Sequence, residues 1–346
     1  MIDKIHRIID RVLEKHALDR RTCFADLYPV PPDAKSLVFE CSSREVSAQV
    51  EGEIRSSLGR GAPVVEYVLL PDSALPELFI ACSSVADVRR QPDHGRELVS
   101  QVIYGEAVTP LKTSGDWHLV RLQDGYIGWV RSWHLKATSG ADVDRFATEA
   151  GHRVRDNIIQ LYESPDEESP PVTDAVVGTF VAAAGCGKRG WREARLGDGK
   201  TGFTRARGLE PVPRHRRLSR DLLAATGMRF LGIPYLWGGT TPKGFDCSGL
   251  VQRIFRLHGV ALPRDSDLQA RFGSARPARS RDRLRTGDLL FFGASGDQIG
   301  HVAMYLSNGL FLHAYGQVKV GSLQPTHPLY ESKLAPDWQS TRDPLA

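Results

Sequence analysis

Cysteine is scarce in this 346-residue sequence. The five cysteines, at positions 23, 41, 82, 186 and 247, are odd in number, widely scattered and never spaced as CxxC. A secreted disulfide framework is usually even in number and denser, and structural zinc is usually held by closely paired cysteines. The sequence therefore predicts neither a disulfide scaffold nor a structural zinc site.

Long apolar runs are also missing. No segment approaches the roughly 20 apolar residues that span a bilayer. Residues 1–18 carry charges every few positions, without the apolar stretch of a signal peptide. We therefore expect a cytoplasmic protein with no membrane partner.

The excess of positive charge is small. Net charge is +4, and much of it comes from one run, PRHRRLSR at 213–220. Such a run is most often a solvated linker. The composition, 41% hydrophobic and 25% charged, is that of an ordinary globular protein. We therefore expect no nucleic-acid partner, and no pattern specifies an oligomeric state.

The length predicts several domains, of which residues 1–82 form the first, an α/β accessory domain. Its first 18 residues have the periodicity of an amphipathic helix. A second helix is predicted to begin at Ser42, which has capping-box spacing to Glu45. The run VVEYVLL at 64–70 predicts a buried strand. No residue here indicates chemistry. The apolar side of the first helix comprises Ile5, Ile8, Ile9, Val12 and Leu13.

The middle of the chain contains an internal repeat. WHLVRLQDGYIGWV begins at Trp117 and WREARLGDGKTGFT at Trp191, an offset of 74 residues. The DG dipeptide in each copy predicts a hairpin turn between alternating strands. We therefore predict two tandem small β-barrels, over 83–137 and 150–211, which resemble bacterial Src-homology-3-like domains.

The last part of the chain, 219–346, contains a cysteine in an unusual setting. In FDCSGLVQRIFRL, Asp246 stands at the N-cap position of a helix, so Cys247 falls in the first turn. The helix dipole there favours a thiolate and lowers the pKa of the thiol. A small buried plug is the competing interpretation, because free cysteine is often buried. The strand-like sequence after 284 makes this domain α+β.

Two histidines, His301 and His313, flank a predicted hairpin and are the candidates for a base. A two-residue loop would place them on opposite faces of the sheet. A three-residue loop, Ser307-Asn308-Gly309, would pair His313 with Ala303 and put both imidazoles on one face. We predict the three-residue loop, because a cysteine nucleophile needs a base and a group that orients it. A zinc site with cysteine and histidine ligands is the less favoured alternative.

At this point the sequence resembles the NlpC-type cysteine peptidases, papain-like bacterial enzymes that cleave peptidoglycan peptides. Their motifs occur here in the same order: PYLWGG, FDCSGL, LPRDSDLQ, TGDLLFF, GHVAMYL and FLHA. The resemblance implies that Cys247 is the nucleophile, His301 the base and His313 the residue that orients it. It also implies that Tyr235 stabilises the oxyanion, that Trp237 lies in the substrate site, and that no metal or cofactor is needed.

The two barrels before this domain extend the resemblance to the γ-D-glutamyl-L-diamino acid endopeptidases of cell-wall recycling. It implies murein peptides with a free N-terminal L-alanine as substrates. Glu97 and Tyr126 of the first barrel would face Asp246 and Ser248, and Ser266 would contact the D-glutamate. Two alternatives stay open: a lytic hydrolase of intact cell wall, and a catalytically silent protein that binds wall fragments.

Overall fold

The computed structural model describes residues 1–30, 36–59, 62–184, 190–212, 218–277, 281–294 and 298–346. Cys186 and residues 213–217 of the predicted linker lie outside these ranges. Within them, no helix is both long and apolar enough to cross a membrane.

The N-terminal domain packs two helices on a three-stranded sheet of order β1-β2-β3, in which β2 and β3 are parallel. The predicted apolar side of α1 is confirmed as its buried side. Two predictions for this domain were wrong. Ser43, not Ser42, caps α2 by accepting a hydrogen bond from the amide of Val46. The strand at 64–69 lies at the sheet edge and is mostly exposed or half-buried. The elements are α1 (Ile2–Lys15), β1 (Ala25–Pro29), β2 (Ser36–Cys41), α2 (Arg44–Leu58) and β3 (Val64–Leu69).

The first barrel is a seven-stranded antiparallel sheet of order β10-β4-β7-β8-β9-β5-β6. Its core includes Val88, Val120 and Val130. The strand Leu78–Ala81 belongs to this sheet, although it precedes the predicted start of the barrel at 83. The strands are β4 (Leu78–Ala81), β5 (Val85–Arg89), β6 (Leu98–Ile103), β7 (Ala107–Ser114), β8 (Trp117–Arg121), β9 (Ile127–Arg131) and β10 (Leu135–Thr138).

The helix α3 (Gly140–Glu149) leads to the second barrel, whose strand order is β13-β12-β16-β15-β14-β11-β17. The repeat noted in the sequence is a repeat in structure, because both DG turns have the same hydrogen bonds. In each turn the amide of the residue after the glycine, Tyr126 or Lys200, donates to the carboxylate of the turn's aspartate at 3.0 Å. The strands are β11 (His152–Val154), β12 (Ile158–Tyr162), β13 (Pro171–Val176), β14 (Phe180–Ala184), β15 (Trp191–Arg195), β16 (Thr201–Arg205) and β17 (Leu209–Pro211).

The C-terminal domain packs helices against a six-stranded antiparallel sheet of order β20-β25-β21-β22-β23-β24. The main core lies between α5 and this sheet and includes Leu250, Phe291 and Leu312. The predicted α+β class is confirmed. The elements are α4 (Arg220–Met228), β18 (Thr240–Thr241), β19 (Gly244–Phe245), α5 (Cys247–Leu257), α6 (Ser266–Gln269), β20 (Ser274–Ala275), β21 (Leu289–Phe292), β22 (His301–Tyr305), β23 (Leu310–Tyr315), β24 (Gln317–Ser322) and β25 (Trp338–Asp343).

The first barrel docks directly on α5 through its DG turn. Gln252 on the helix donates to the carboxylate of Asp124 in that turn, at 2.8 Å. Gln101 of β6 accepts from the amide of Thr240, beside the same helix, at 3.0 Å. The helix is therefore buried on nearly all sides, rather than on the one face that its sequence pattern predicted. This docking brings the residue after the turn, Tyr126, to the catalytic domain.

Candidate active site

Cys247 is the first residue of α5, as predicted, and is 8% exposed. The Asp246 side chain caps the helix by accepting from the amide of Gly249 at 2.6 Å. Glycine is needed at 249 because a Cβ there would lie 2.1 Å from the carbonyl oxygen of Gly239. The glycines of the WGG and DCSG motifs thus let two backbone segments meet behind the cysteine.

A buried ion pair holds the N-cap. Arg264 donates to both carboxylate oxygens of Asp246, at 3.1 and 2.5 Å, and to the hydroxyl of Ser248 at 2.9 Å. The Ser248 hydroxyl itself donates to Asp246 at 3.2 Å. Arg264 belongs to the LPRDSDLQ motif, and no role was predicted for it. Its position fixes both residues that flank the cysteine.

The histidine hairpin has the predicted three-residue loop. Met304 pairs with Leu312 and Tyr305 with Phe311, a register that places Ala303 opposite His313. Gly309 has a φ of +77°, in the left-handed region that such a loop requires of its glycine. Because both imidazoles then lie on one face, Nε2 of His301 approaches Nδ1 of His313 to 3.0 Å. The prediction of a shared face is confirmed.

The thiol lies against the start of β22. Backbone amides of Val302 and Ser248 both interact with the Cys247 sulfur and favour its thiolate. Val302 directly follows His301 in the strand, so the cysteine helix and the first histidine meet at this point. Since Nε2 of His301 faces His313, its Nδ1 is the ring nitrogen left for the thiol.

The expected lowering of the thiol pKa was wrong. Burial, together with the adjacent Asp246 carboxylate, raises the pKa of Cys247 to about 12. Burial and the neighbouring His313 lower the pKa of His301 to about 3. Desolvation therefore outweighs the effect of the helix dipole on this thiol. These surroundings favour the neutral forms of the thiol and of both imidazoles.

A cleft of about 240 Å³ opens above the thiol. Its wall combines residues from the N-terminal domain, the first barrel and the catalytic domain. Of the ten site residues expected from the sequence, only His301 and His313 do not line it; they lie behind the cysteine. The other eight are Glu97, Tyr126, Tyr235, Trp237, Asp246, Cys247, Ser248 and Ser266.

The first barrel closes one side of this cleft. Trp237 donates from its indole nitrogen to Oε1 of Glu97 at 3.0 Å. Tyr126 is packed in the barrel core, and its hydroxyl donates to Asp265 at 3.1 Å. Arg90 was missed in the sequence, yet it donates to the Tyr126 hydroxyl at 3.2 Å and pairs with Glu97. The barrel and the catalytic domain thus share one polar network.

Tyr235 lies on the catalytic-domain side of the cleft and is half-buried. Burial, with the nearby Cys247 and Asp246, raises the pKa of its phenol. The hydroxyl therefore keeps its proton at neutral pH and is available as a hydrogen-bond donor.

The N-terminal domain also reaches the cleft, through Arg21. Its guanidinium donates to Asp265 at 2.8 Å and to both oxygens of Asp267 at 2.8 Å, while Asp19 pairs with it from its own loop. Arg21 is anchored on the first barrel, where its carbonyl accepts from the amide of Ile127 at 2.7 Å. No sequence signal marked this arginine, because its partners are about 245 residues away.

Beyond His313 lie Glu331 and Lys319, an ion pair that was not predicted from the sequence. Oε1 of Glu331 is 3.5 Å from Nε2 of His313 and 2.7 Å from Nζ of Lys319. Lys319 is the cross-strand partner of His313. Among the described residues, no three cysteine, histidine or acidic side chains are grouped as metal ligands, so the zinc alternative has no ligand set there.

A cysteine at the start of a buried helix, facing two hydrogen-bonded histidines on an antiparallel sheet, defines the papain-like class of cysteine peptidases. The chain belongs to the NlpC/P60 family, whose model matches residues 232–336. A second model, the bacterial dipeptidyl-peptidase Sh3 domain, matches residues 88–135. The protein is thus a cysteine peptidase with an SH3-like domain.

Two curated relatives support this assignment. The chain is 30% identical over 269 residues to dipeptidyl-peptidase 6 of Lysinibacillus sphaericus, covering 74% of this chain and 95% of that protein. It is 30% identical over 246 residues to a γ-D-glutamyl-L-lysine dipeptidyl-peptidase of Bacillus subtilis, covering 68% and 78%. The crystal structure of an NlpC/P60 family protein from Bacillus cereus has the same fold. It matches with a TM-score of 0.65 at 24% identity, over 78% of this chain and all of that one.

Proposed function

We propose that this peptidase hydrolyses the γ-D-glutamyl–diamino acid bond of murein peptides that carry a free N-terminal L-alanine. Cys247 would be the nucleophile, His301 the base, and His313 the residue that orients His301. One curated relative is named a γ-D-glutamyl-L-lysine dipeptidyl-peptidase, and this name supports the choice of bond. The preference for a free amine rests on the charge of the cleft.

Carboxylates outnumber cations around the cleft, and this observation carries the proposal. Two guanidinium groups, Arg21 and Arg90, line it. A third guanidinium group, that of Arg264, pairs with the carboxylate of Asp246. An ammonium group would therefore find charge-assisted hydrogen bonds there. Each of the four acids already pairs with an arginine, but three arginines leave one negative charge over, which an ammonium group would neutralise. The four lining carboxylates are Glu97, Asp246, Asp265 and Asp267.

In the proposed reaction, the Cys247 sulfur attacks the γ-carbonyl of D-glutamate while Nδ1 of His301 takes the thiol proton. General-base removal of the proton during attack suits a thiol that is neutral at rest. Tyr235 and backbone amides at the start of α5 would stabilise the oxyanion. Protonated His301 then gives its proton to the leaving amine, and water hydrolyses the thioester by the reverse sequence.

The test compares kcat/KM on L-Ala-γ-D-Glu-Lys and L-Ala-γ-D-Glu-diaminopimelate with their N-acetylated forms. Acetylation should cost on the order of 10² or more, as expected when buried polar groups lose their partner. Glu97→Gln and Tyr126→Phe should reduce that discrimination. Glu167→Gln, which removes an exposed carboxylate of the second barrel, is the matched control and should leave it unchanged. Equal rates on free and acetylated peptides would contradict the proposal.

We also propose a cytoplasmic location and a role in recycling wall peptides. The described cysteines, at 23, 41, 82 and 247, are all free thiols, which suits a reducing compartment. Cell fractionation tests the location. Release of peptides from intact, cross-linked wall at rates similar to those on free tripeptides would favour the lytic alternative.

A further inference from the structure

One ring nitrogen of His313, Nε2, is buried in a position that needs an explanation. The side chain is fully buried, and among the residues that the structure describes Nε2 has no hydrogen-bond partner. A buried polar atom without a partner is costly and calls for an explanation. Oε1 of Glu331, at 3.5 Å, lies just beyond good hydrogen-bond length. Catalytic hydrogen bonds are often this long before substrate binds.

Glu331 is held in place rather than free to move. Its amide donates to the carbonyl of Ser322 at the end of β24, at 3.1 Å. Its carboxylate pairs with Lys319, at 2.7 Å, and its side chain packs against the backbone of Gly321. The carboxylate is therefore fixed beside the buried imidazole.

The direction of the hydrogen bonds assigns each ring proton. If Nδ1 of His301 accepts the thiol proton, Nε2 of His301 carries a hydrogen and donates to Nδ1 of His313. His313 must then carry its own hydrogen on Nε2, because a neutral imidazole has one donor and one acceptor. That hydrogen points at Glu331. A carboxylate, which only accepts, selects this tautomer.

We propose that Glu331 is a positioning residue behind the catalytic histidines. It accepts the Nε2 hydrogen of His313, and its negative charge stabilises the positive charge that His301 acquires when it takes the proton of Cys247. Cysteine, two histidines and glutamate then form one hydrogen-bonded series. The ion pair with Lys319 reduces the effect of the glutamate's negative charge on the imidazoles. This inference rests on the catalytic roles proposed above and adds a residue to them.

The charges around the two imidazoles determine the direction in which each variant should shift the pKa of His301. Glu331 and Asp246 favour protonation of His301, whereas Lys319 and the second imidazole oppose it. Lys319 also opposes protonation of His313. The titratable groups that face the pair are, from the helix side, Asp246 and Cys247, and from the sheet side, Tyr315, Lys319 and Glu331.

The experiment records kcat/KM on L-Ala-γ-D-Glu-Lys for the wild type and two variants, from pH 7.5 down past the acid limb, which is expected below about pH 5. Glu331→Gln keeps the shape of the side chain and removes its charge; its acid limb should move to lower pH, and its plateau should fall on the order of tenfold. Lys319→Met removes the opposing charge, so its acid limb should move to higher pH. Shifts of opposite sign are not expected from a merely structural role.

A second readout does not depend on turnover. Nitrogen-15 NMR of the wild-type imidazoles should find the His313 proton on Nε2 and none on Nδ1. A proton on Nδ1 would overturn the proposal, as would acid limbs that do not separate between the two variants. His301→Gln distinguishes this failure from failure of the proposed function: if that variant keeps its activity, the histidine assignment itself is wrong.

Discussion

Arg21 and Asp267 form a two-pronged ion pair between the N-terminal domain and the catalytic domain. Nη1 and Nη2 of the arginine each lie 2.8 Å from one of the two carboxylate oxygens. Nη1 also reaches Asp265, so the arginine holds both residues that flank Ser266. Bidentate geometry of this kind fixes orientation as well as distance. The accessory domain therefore supports the wall of the substrate cleft.

Replacing this arginine should weaken substrate binding. In Arg21→Gln, the carboxylates of Asp19, Asp265 and Asp267 lose their shared cation and repel one another, which displaces the Ser266 wall. Loss of hydrogen bonds between charged groups costs about 1.5–3 kcal/mol each. We therefore expect KM for L-Ala-γ-D-Glu-Lys to rise roughly 10-fold or more, with a smaller change in kcat.

The matched control is Arg11→Gln, which removes an exposed arginine of the same domain that pairs with Glu53 away from the cleft. Its KM should equal that of the wild type. A change in KM shared by both variants would trace the effect to the stability of the domain. An unchanged KM in Arg21→Gln would separate the N-terminal domain from substrate binding.

The local features of this fold were readable from the sequence. The cap at Asp246, the buried side of α1 and the two DG turns each depend on residues within a few positions of one another. The loop at Gly309 was predictable because, of the two-residue and three-residue loops, only the three-residue loop puts both histidines on one face. Periodicity and turn chemistry carry this information directly.

The electrostatic features were not readable, because they depend on what covers each residue. The pKa of Cys247 was misjudged since the helix dipole is local, whereas the burial that outweighs it comes from distant segments. The partners of Arg21 and of His313 are likewise brought together only by the packing of separate elements. Patterns within a single sequence do not reveal contacts between residues that are far apart in the chain.

Removing the thiol should abolish turnover. Cys247→Ala lacks the proposed nucleophile but keeps a small apolar side chain in a buried position, so the fold should survive. We expect no detectable hydrolysis and a thermal unfolding midpoint close to that of the wild type. Cys82→Ala, which alters a cysteine of the first barrel away from the cleft, should keep full activity. Residual hydrolysis by Cys247→Ala within tenfold of the wild type would remove Cys247 from the mechanism.

The pH dependence should reflect a base that resists protonation. The proposed base, His301, must be neutral to accept the thiol proton, and burial together with His313 lowers its pKa to about 3. A lowered pKa keeps the imidazole neutral below 6.5, the ordinary value for histidine. We therefore expect kcat/KM, which reports the free enzyme, to stay level from pH 7.5 down to about pH 5. A fall in kcat/KM centred near pH 6.5 would show that the imidazole of His301 is exposed to solvent, and it would contradict the prediction.

Breaking the ion pair under the cysteine helix should destabilise the protein. Arg264→Met leaves the Asp246 carboxylate buried without its cation, and removing one partner of a buried pair typically costs about 3–5 kcal/mol. The free energy of unfolding, measured with urea, should fall by that amount. Arg195→Met breaks a surface pair with Glu149 and should cost about 1 kcal/mol or less. Because Arg264 also orients Ser248, activity should fall even where Arg264→Met remains folded. Equal losses in the two variants would mean that Asp246 is solvated and holds the helix start without its arginine.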